Sequence, residues 1–84
     1  MSPADLPPDV TVDLTVDATG QKCPMPVLLT SRAAKQLAPG QVLLVEASDR
    51  GSQRDIPAWA KDTGNTLLTS SSDDGVFRYL IRKG

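Results

Sequence analysis

A predicted helix between two predicted strands constrains the fold of this chain most. The helix, residues 24–38, begins with two prolines in its first turn, where a missing N–H costs nothing, and ends before Pro39-Gly40. The segments 10–17 and 41–47 flank it and are predicted to be strands. Because a strand, a helix and a strand follow one another, the three elements predict a βαβ unit with parallel strands and a right-handed crossover.

The two flanking strands are predicted from different hydrophobic patterns. Val10, Val12, Leu14 and Val16 alternate with polar residues, which indicates a strand with one buried face. The run 41–47 contains four consecutive apolar residues and is typical of a central strand that is buried on both faces.

The second half of the chain predicts a shorter helix and a β-hairpin. The helix, residues 55–63, has Asp55 as its expected N-cap and a proline in its first turn. Strands at 66–70 and 76–82 flank a loop that ends in Asp-Gly, a hairpin-turn sequence. The order βαβαββ therefore predicts an α/β two-layer sandwich, a four-stranded mixed sheet with two helices on one face.

Length and charge limit the domain organisation and the partners. The 84 residues form a single domain over 10–84, and residues 1–9, which contain three prolines, predict a flexible N-terminal arm. Ten acidic and nine basic residues give a net charge of −1, so we expect no direct nucleic-acid binding. Neither an apolar run of ~20 residues nor a secretory signal is visible. We therefore expect a cytoplasmic protein without membrane contact.

The chain has one cysteine, Cys23, directly before Pro24, and it has no histidine. A single thiol forms no internal disulfide, which fits a reducing compartment. The absence of histidine excludes Cys-His and Ser-His pairs and histidine-containing zinc sites within the chain. A helix N-terminus favours the thiolate, so we predict a reactive thiol with a lowered pKa. The alternative is a buried, inert thiol.

Several side chains are predicted to surround the sulfur. Lys22, Arg50 and Arg54 gather there if the loops at one end of the sheet meet, and the alternative is three solvated cations. Met25 is expected to be partly exposed and suited to docking partners. Asp49 and Asp55 are expected to cap loops or the second helix rather than to act in acid–base chemistry.

Two further groups of side chains have less bearing on the chemistry. Trp59 shares a helix face with Ile56 and is expected in the core. Arg78, Arg82 and Lys83 form either a basic strand face for a partner or a solvated edge, and the near-neutral charge favours the edge.

The residues around the cysteine also carry a family resemblance. The segment Asp17-Ala18-Thr19-Gly20-Gln21-Lys22-Cys23-Pro24-Met25-Pro26-Val27 resembles the TusA/SirA-like sulfur-carrier proteins, whose hallmark is Cys-Pro-x-Pro at the start of the first helix. Asp55-Ile56-Pro57 and the closing 78–84 extend the resemblance, which covers residues 12–84. It implies that Cys23 accepts sulfane sulfur as a persulfide and transfers it to an acceptor protein, with Pro24 and Pro26 in support.

The resemblance implies partners but no metal and no organic cofactor. The sulfur donor is a cysteine desulfurase or a rhodanese, and the acceptor is a sulfurtransferase protein in tRNA thiolation, molybdenum-cofactor assembly or sulfur oxidation. Met25 and Asn65 depart from the common bacterial pattern, which often has an acidic residue and a histidine there. We expect a monomeric carrier that needs both partners for turnover. The alternatives are a thiol-gated regulatory or interaction module without sulfur transfer and a structural accessory subunit.

Overall fold

The computed structural model describes residues 10–84, and the predicted arm at 1–9 lies outside the described residues. The elements are β1 (Leu14–Ala18), α1 (Met25–Ala34), β2 (Val42–Ala47), α2 (Ser52–Asp62), β3 (Thr66–Asp73) and β4 (Val76–Arg82). The predicted order βαβαββ is confirmed. Neither α1 nor α2 is long and apolar enough to cross a membrane.

The four strands form one mixed sheet in the order β1-β2-β4-β3. Strand β1 pairs in parallel with β2, for example through Val16 and Val45, as the βαβ prediction requires. Strand β4 is antiparallel to both β2 and β3. Because the chain crosses from β1 to β2 through α1, the start of α1, with residues 23–26, lies at the end of the sheet where β1 finishes.

Both helices pack on one face of the sheet, which confirms the two-layer prediction. Leu43 and Val45 of β2 and Tyr79 and Ile81 of β4 point to this face, because side chains alternate along a strand. The helices contribute mainly small residues and one larger side chain to the core: Ala33, Ala34 and Ile56. Small side chains on α1 allow the helix to approach the sheet closely.

The opposite face of the sheet holds a second, smaller core. Its fully buried members are Val42, Leu44 and Leu80, with Val10, Val12 and Leu68 packed against them. The expectation that Val10, Val12, Leu14 and Val16 share one face is therefore wrong, since the last two pack on the helix side. Strand β1 begins only at Leu14. The preceding residue, Asp13, bonds to β2 through its side chain, since its carboxylate accepts the Val42 N–H at 2.8 Å.

Three further element boundaries differ from prediction by several residues. Helix α1 ends at Ala34 rather than at 38. At this end of the helix, Lys83 Nζ donates a hydrogen bond to the Ala34 carbonyl at 2.9 Å. Helix α2 begins at Ser52 rather than at 55. Strand β3 extends to 73 rather than 70 because its serines pair with β4, and the turn at Asp74-Gly75 has the two positive φ angles, 51° and 80°, of a tight hairpin.

Candidate functional site

Cys23 lies in the turn directly before α1, beside the N-cap residue Pro24, and its side chain is exposed. The peptide bond between the two residues is cis. The predicted position beside the N-cap is confirmed, and the alternative of a buried thiol is wrong. An exposed thiol at a helix start is accessible to a reacting partner.

The start of α1 offers few N–H groups to the sulfur. Pro24 and Pro26 have none, and the Met25 N–H donates to the Lys22 carbonyl at 2.8 Å. Pro26 is buried, and its carbonyl accepts the Thr30 hydroxyl at 2.7 Å. The prolines therefore fix the backbone around Cys23, while the helix terminus stabilises an anion less than an ordinary helix terminus does.

Asp55 is the direct partner of the sulfur. The Cys23 thiol donates a hydrogen bond to Asp55 Oδ2 at 3.1 Å, and Arg54 Nε donates to Asp55 Oδ1 at 3.4 Å. Since α2 begins at Ser52 with Gly51 as N-cap, Asp55 lies inside the first turn and makes no N-cap bond. The prediction that Asp55 caps this helix is wrong, because the helix starts three residues earlier than its proline suggests.

The carboxylates change the expected chemistry of Cys23. The hydrogen bond to Asp55 raises the pKa of the Cys23 thiol, with further contributions from desolvation and from the charges of Asp55 and Asp49. The Arg54 charge lowers this pKa but does not outweigh the others. The same hydrogen bond, aided by Arg54, holds the pKa of Asp55 below its usual value. The predicted lowering of the thiol pKa is therefore wrong, and a thiol faces a carboxylate at neutral pH.

Gly51 makes room for this arrangement. A methyl group on Gly51 would lie 2.9 Å from Asp49 Oδ2 and 3.7 Å from both Cys23 Cβ and Asp55 Oδ2. Its φ of −59° is open to any residue, so the small size of glycine matters here rather than its backbone freedom. No pattern in the sequence indicates this role, since the close approach joins segments that are distant in the chain.

A shallow depression borders the sulfur. Its lining consists of both prolines of the motif, both carboxylates and three further residues: Cys23, Pro24, Pro26, Val27, Asp49, Ser52 and Asp55. Organic ligands fill pockets of roughly 300–1,000 Å³, whereas this depression encloses essentially no free volume. No group of three potential metal ligands occurs within 10–84.

An open groove of about 380 Å³ continues from the depression between the two helices. It is lined by Pro24, Val27, Asp55, Ala58, Trp59 and Asp62. Trp59 contacts the core, as predicted, but it is only partly buried and its remaining surface lines the groove. A partner that reaches Cys23 therefore meets an apolar surface with an acidic rim.

The predicted cations do not form one cluster around the sulfur. Arg54 acts on the site through Asp55, and its side chain is 86% exposed. Lys22 lines a separate depression with Asp49, and Arg50 is exposed. Met25 is half-buried, in agreement with the predicted partial exposure.

The structure also corrects the predicted roles of Asp49 and Arg78. The Asp49 side chain was expected to cap a loop or the second helix. Instead, the Asp49 backbone carbonyl accepts the Ser52 N–H at the start of α2, at 3.1 Å. Arg78 is 10% exposed and donates to Glu46 at 3.1 Å, so the expectation of a solvated basic edge is wrong at this position.

The fold and the site define a class of protein, a two-layer α/β domain that presents one exposed thiol at the start of its first helix. The chain is similar in structure to the SirA-like protein from Desulfitobacterium hafniense, with a TM-score of 0.75, 30% identity and coverage of 84% of this chain and 97% of the other.

Sequence comparison assigns the family within this class. A family model described as Sulfurtransferase TusA matches residues 14–83, and the chain belongs to this family. It is 44% identical over 71 residues to sulfur carrier protein TusA of Allochromatium vinosum, covering 84% of this chain and 93% of that protein. It is 39% identical over 72 residues to the putative sulfur carrier protein YrkI of Bacillus subtilis, covering 86% and 96%.

Some relatives are longer than this chain. The putative sulfur carrier protein YrkF of Bacillus subtilis is 41% identical over 71 residues, which cover 84% of this chain but only 38% of YrkF. The family domain therefore also occurs as part of larger proteins. The family resemblance predicted from the Cys-Pro-Met-Pro segment is confirmed.

Proposed function

We propose that this chain is a sulfur carrier that accepts sulfane sulfur on Cys23 as a persulfide and passes it to an acceptor protein. The observation that carries the proposal is the single exposed thiol at the start of α1, bordered by a depression too small for a cofactor. The chain has no second cysteine that could attack the persulfide from within. A persulfide on Cys23 therefore lasts until an external thiol attacks it.

The chemistry is an exchange of one S–S bond for another. In loading, the Cys23 sulfur attacks the outer sulfur of a donor persulfide, the donor S–S bond breaks, and the donor leaves as a thiol that keeps the Cys23 proton. In unloading, an acceptor thiolate attacks the outer sulfur of the Cys23 persulfide. The S–S bond on Cys23 breaks, and Cys23 leaves as a thiolate. Nothing is oxidised or reduced overall, so the transfer uses neither a metal nor an organic cofactor.

The proposed partners are a cysteine desulfurase or rhodanese as donor and a sulfurtransferase protein as acceptor. Pro24 and Pro26 hold the turn that presents Cys23. Lys22, Met25, Arg50 and Arg54 form the proposed docking surface, in keeping with three exposed cations and a half-buried methionine in the segments 22–25 and 50–54, at the starts of the two helices. We further propose a monomer that acts in the cytoplasm without binding nucleic acid directly, in line with a net charge of −1.

Sulfur uptake tests the proposal directly. The protein is incubated with a cysteine desulfurase and cysteine, or with a rhodanese and thiosulfate, and its intact mass is measured. We expect the mass to rise by one sulfur atom, to return to its original value with reductant, and to stay constant in Cys23→Ser. No uptake by the wild-type protein, or equal uptake by Cys23→Ser, contradicts the proposal.

A thiol-gated interaction module is the competing function. Sensor cysteines are usually low-pKa thiols with a resolving cysteine nearby. Here the contact with Asp55 raises the pKa of Cys23, and the chain has no other cysteine. These two observations favour the carrier. A partner complex that forms without any sulfur donor and responds to peroxide would instead support the module.

A further inference from the structure

Acidic side chains from two segments flank the sulfur, although a nucleophilic cysteine usually has electropositive surroundings. Asp55 Oδ2 in the first turn of α2 accepts the Cys23 thiol at 3.1 Å. Asp49, in the loop after β2, lines the same depression as Cys23 and Asp55. A methyl group on Gly51 would be 2.9 Å from Asp49 Oδ2 and 3.7 Å from Cys23 Cβ. Two carboxylates therefore lie around the sulfur, beside one glycine.

The neighbouring positive charges do not cancel these carboxylates. Arg54 contacts the other oxygen of Asp55, and its side chain is 86% exposed, so water screens its charge. Lys22 precedes Cys23 in the chain and is exposed, and α1 has no acidic residue in its first turn. The charged groups that act on the sulfur are thus Asp49, Asp55 and Arg54, with the two carboxylates dominant.

We infer that Asp55 is a positioning residue that holds the empty carrier as a protonated thiol, and that a donor must separate or neutralise this contact before Cys23 can attack. The inference deepens the proposed function, and its second half rests on that function. It follows from the geometry, because the hydrogen bond to Asp55 Oδ2 exists only while the sulfur keeps its proton. A thiolate at the same place would be repelled by both carboxylates.

The contact with Asp55 makes the Cys23 thiol less reactive in the free protein than in a complex with a sulfur donor. The thiolate is the nucleophilic form, so a guarded thiol reacts slowly with stray electrophiles. A donor that brings a positive group to Asp55, or that moves the first turn of α2, breaks or neutralises the contact between Cys23 and Asp55. The Cys23 sulfur then attacks the donor persulfide, and its proton ends on the departing donor thiol.

Alkylation at a series of pH values tests the first half without any sulfur donor. Iodoacetamide labelling of Cys23 is followed by intact mass for the wild type, for Asp55→Asn, and for Asp62→Asn, which changes a carboxylate on the same helix and groove. Asparagine keeps the size and a hydrogen-bond acceptor but removes the charge. We expect a lower pH midpoint for Asp55→Asn, with roughly tenfold faster labelling at neutral pH for each pH unit of the shift, and a wild-type profile for Asp62→Asn.

A second measurement needs no variant. The midpoint of the native wild-type protein is compared with that of the same chain unfolded in urea, and we expect the native value to be higher. Circular dichroism shows whether Asp55→Asn folds. If it does not fold, the comparison of the native and unfolded wild-type midpoints tests whether the folded structure raises the pKa of Cys23. A midpoint of Asp55→Asn at or above the wild-type value, or a native midpoint at or below the unfolded one, overturns the inference.

Sulfur loading tests the second half. Because the donor is expected to release the guard itself, we expect Asp55→Asn to raise the loading rate from a cysteine desulfurase by a smaller factor than the alkylation rate. An equal rise overturns release by the donor. If the wild type takes up no sulfur while alkylation behaves as expected, the proposed function fails and the guarding role of Asp55 stands.

Discussion

A buried hydrogen bond between Ser52 and Tyr79 ties the site to the sheet, and its loss gives a quantitative prediction. The two hydroxyl oxygens lie 2.8 Å apart, and the residues are 1% and 2% exposed. Ser52 is the first residue of α2, three positions before Asp55, and Tyr79 lies in β4. We predict that Ser52→Ala and Tyr79→Phe each lower the free energy of unfolding, because each leaves the other hydroxyl buried without its partner.

The magnitude follows from the cost of a buried, unpaired hydroxyl. Each single change should cost about 1–3 kcal/mol. A chain of 84 residues has a total stability on the order of 4–13 kcal/mol, so either change removes a considerable fraction of it. The double variant removes both polar groups together, so its cost should be smaller than the sum of the two single costs by about 1 kcal/mol.

Urea denaturation followed by circular dichroism measures these differences in a double-mutant cycle. The serine control is Ser70→Ala, because Ser70 is exposed on β3, and it should change the stability by no more than about 0.5 kcal/mol. Single variants that match the control, or a double variant whose cost equals the sum of the single costs, would refute the reasoning that the two hydroxyls satisfy each other.

Three further predictions concern the frame around the site. Burial raises the pKa of Tyr79, so stability is unaffected by this group below the ordinary tyrosine pKa of about 10 and falls at higher pH. Alkaline melts should show a smaller loss of stability above that pH in Tyr79→Phe than in the wild type, and equal losses would contradict this. Gly75 has a φ of 80°, so Gly75→Ala should cost about 1–2 kcal/mol in urea denaturation, and a cost near zero would contradict the turn argument. Glu46→Gln weakens the ion pair with the largely buried Arg78 and should lower the stability by about 1–3 kcal/mol, and an unchanged unfolding midpoint would contradict this.

The element order could be predicted because its signals are local. Alternation, continuous apolar runs and proline or glycine at the ends of elements are all visible in short windows of sequence. The extension of β3 into residues 71–73 is not visible there, because serine and aspartate do not favour strands and only pairing with β4 holds them in one. The sheet face on which Val10 and Val12 pack could not be predicted either, since alternation does not show at which residue strand pairing begins.

The site was predictable to a smaller extent. The exposure of Cys23 follows from its place beside two helix-starting prolines, but the direction of its pKa shift depends on Asp55, which is 32 positions away in the chain. A local capping rule assigns Asp55 to its own helix, because a proline at position 57 is typical of a first turn. In the structure Pro57 lies inside α2, and this difference of three residues turns Asp55 from a helix cap into the partner of the sulfur.

The pairing of an exposed thiol with a carboxylate follows from what a carrier must do. Its sulfur has to be accessible, because donor and acceptor are separate proteins, and an accessible thiolate would also meet oxidants. Burial raises a thiol pKa but would close the site, whereas Asp55 raises the pKa of Cys23 and leaves the sulfur exposed. The chain has no second cysteine to rescue an oxidised sulfur, so protection by charge is of particular value here. On this reasoning a cationic group on the partner serves both docking and release of the nucleophile.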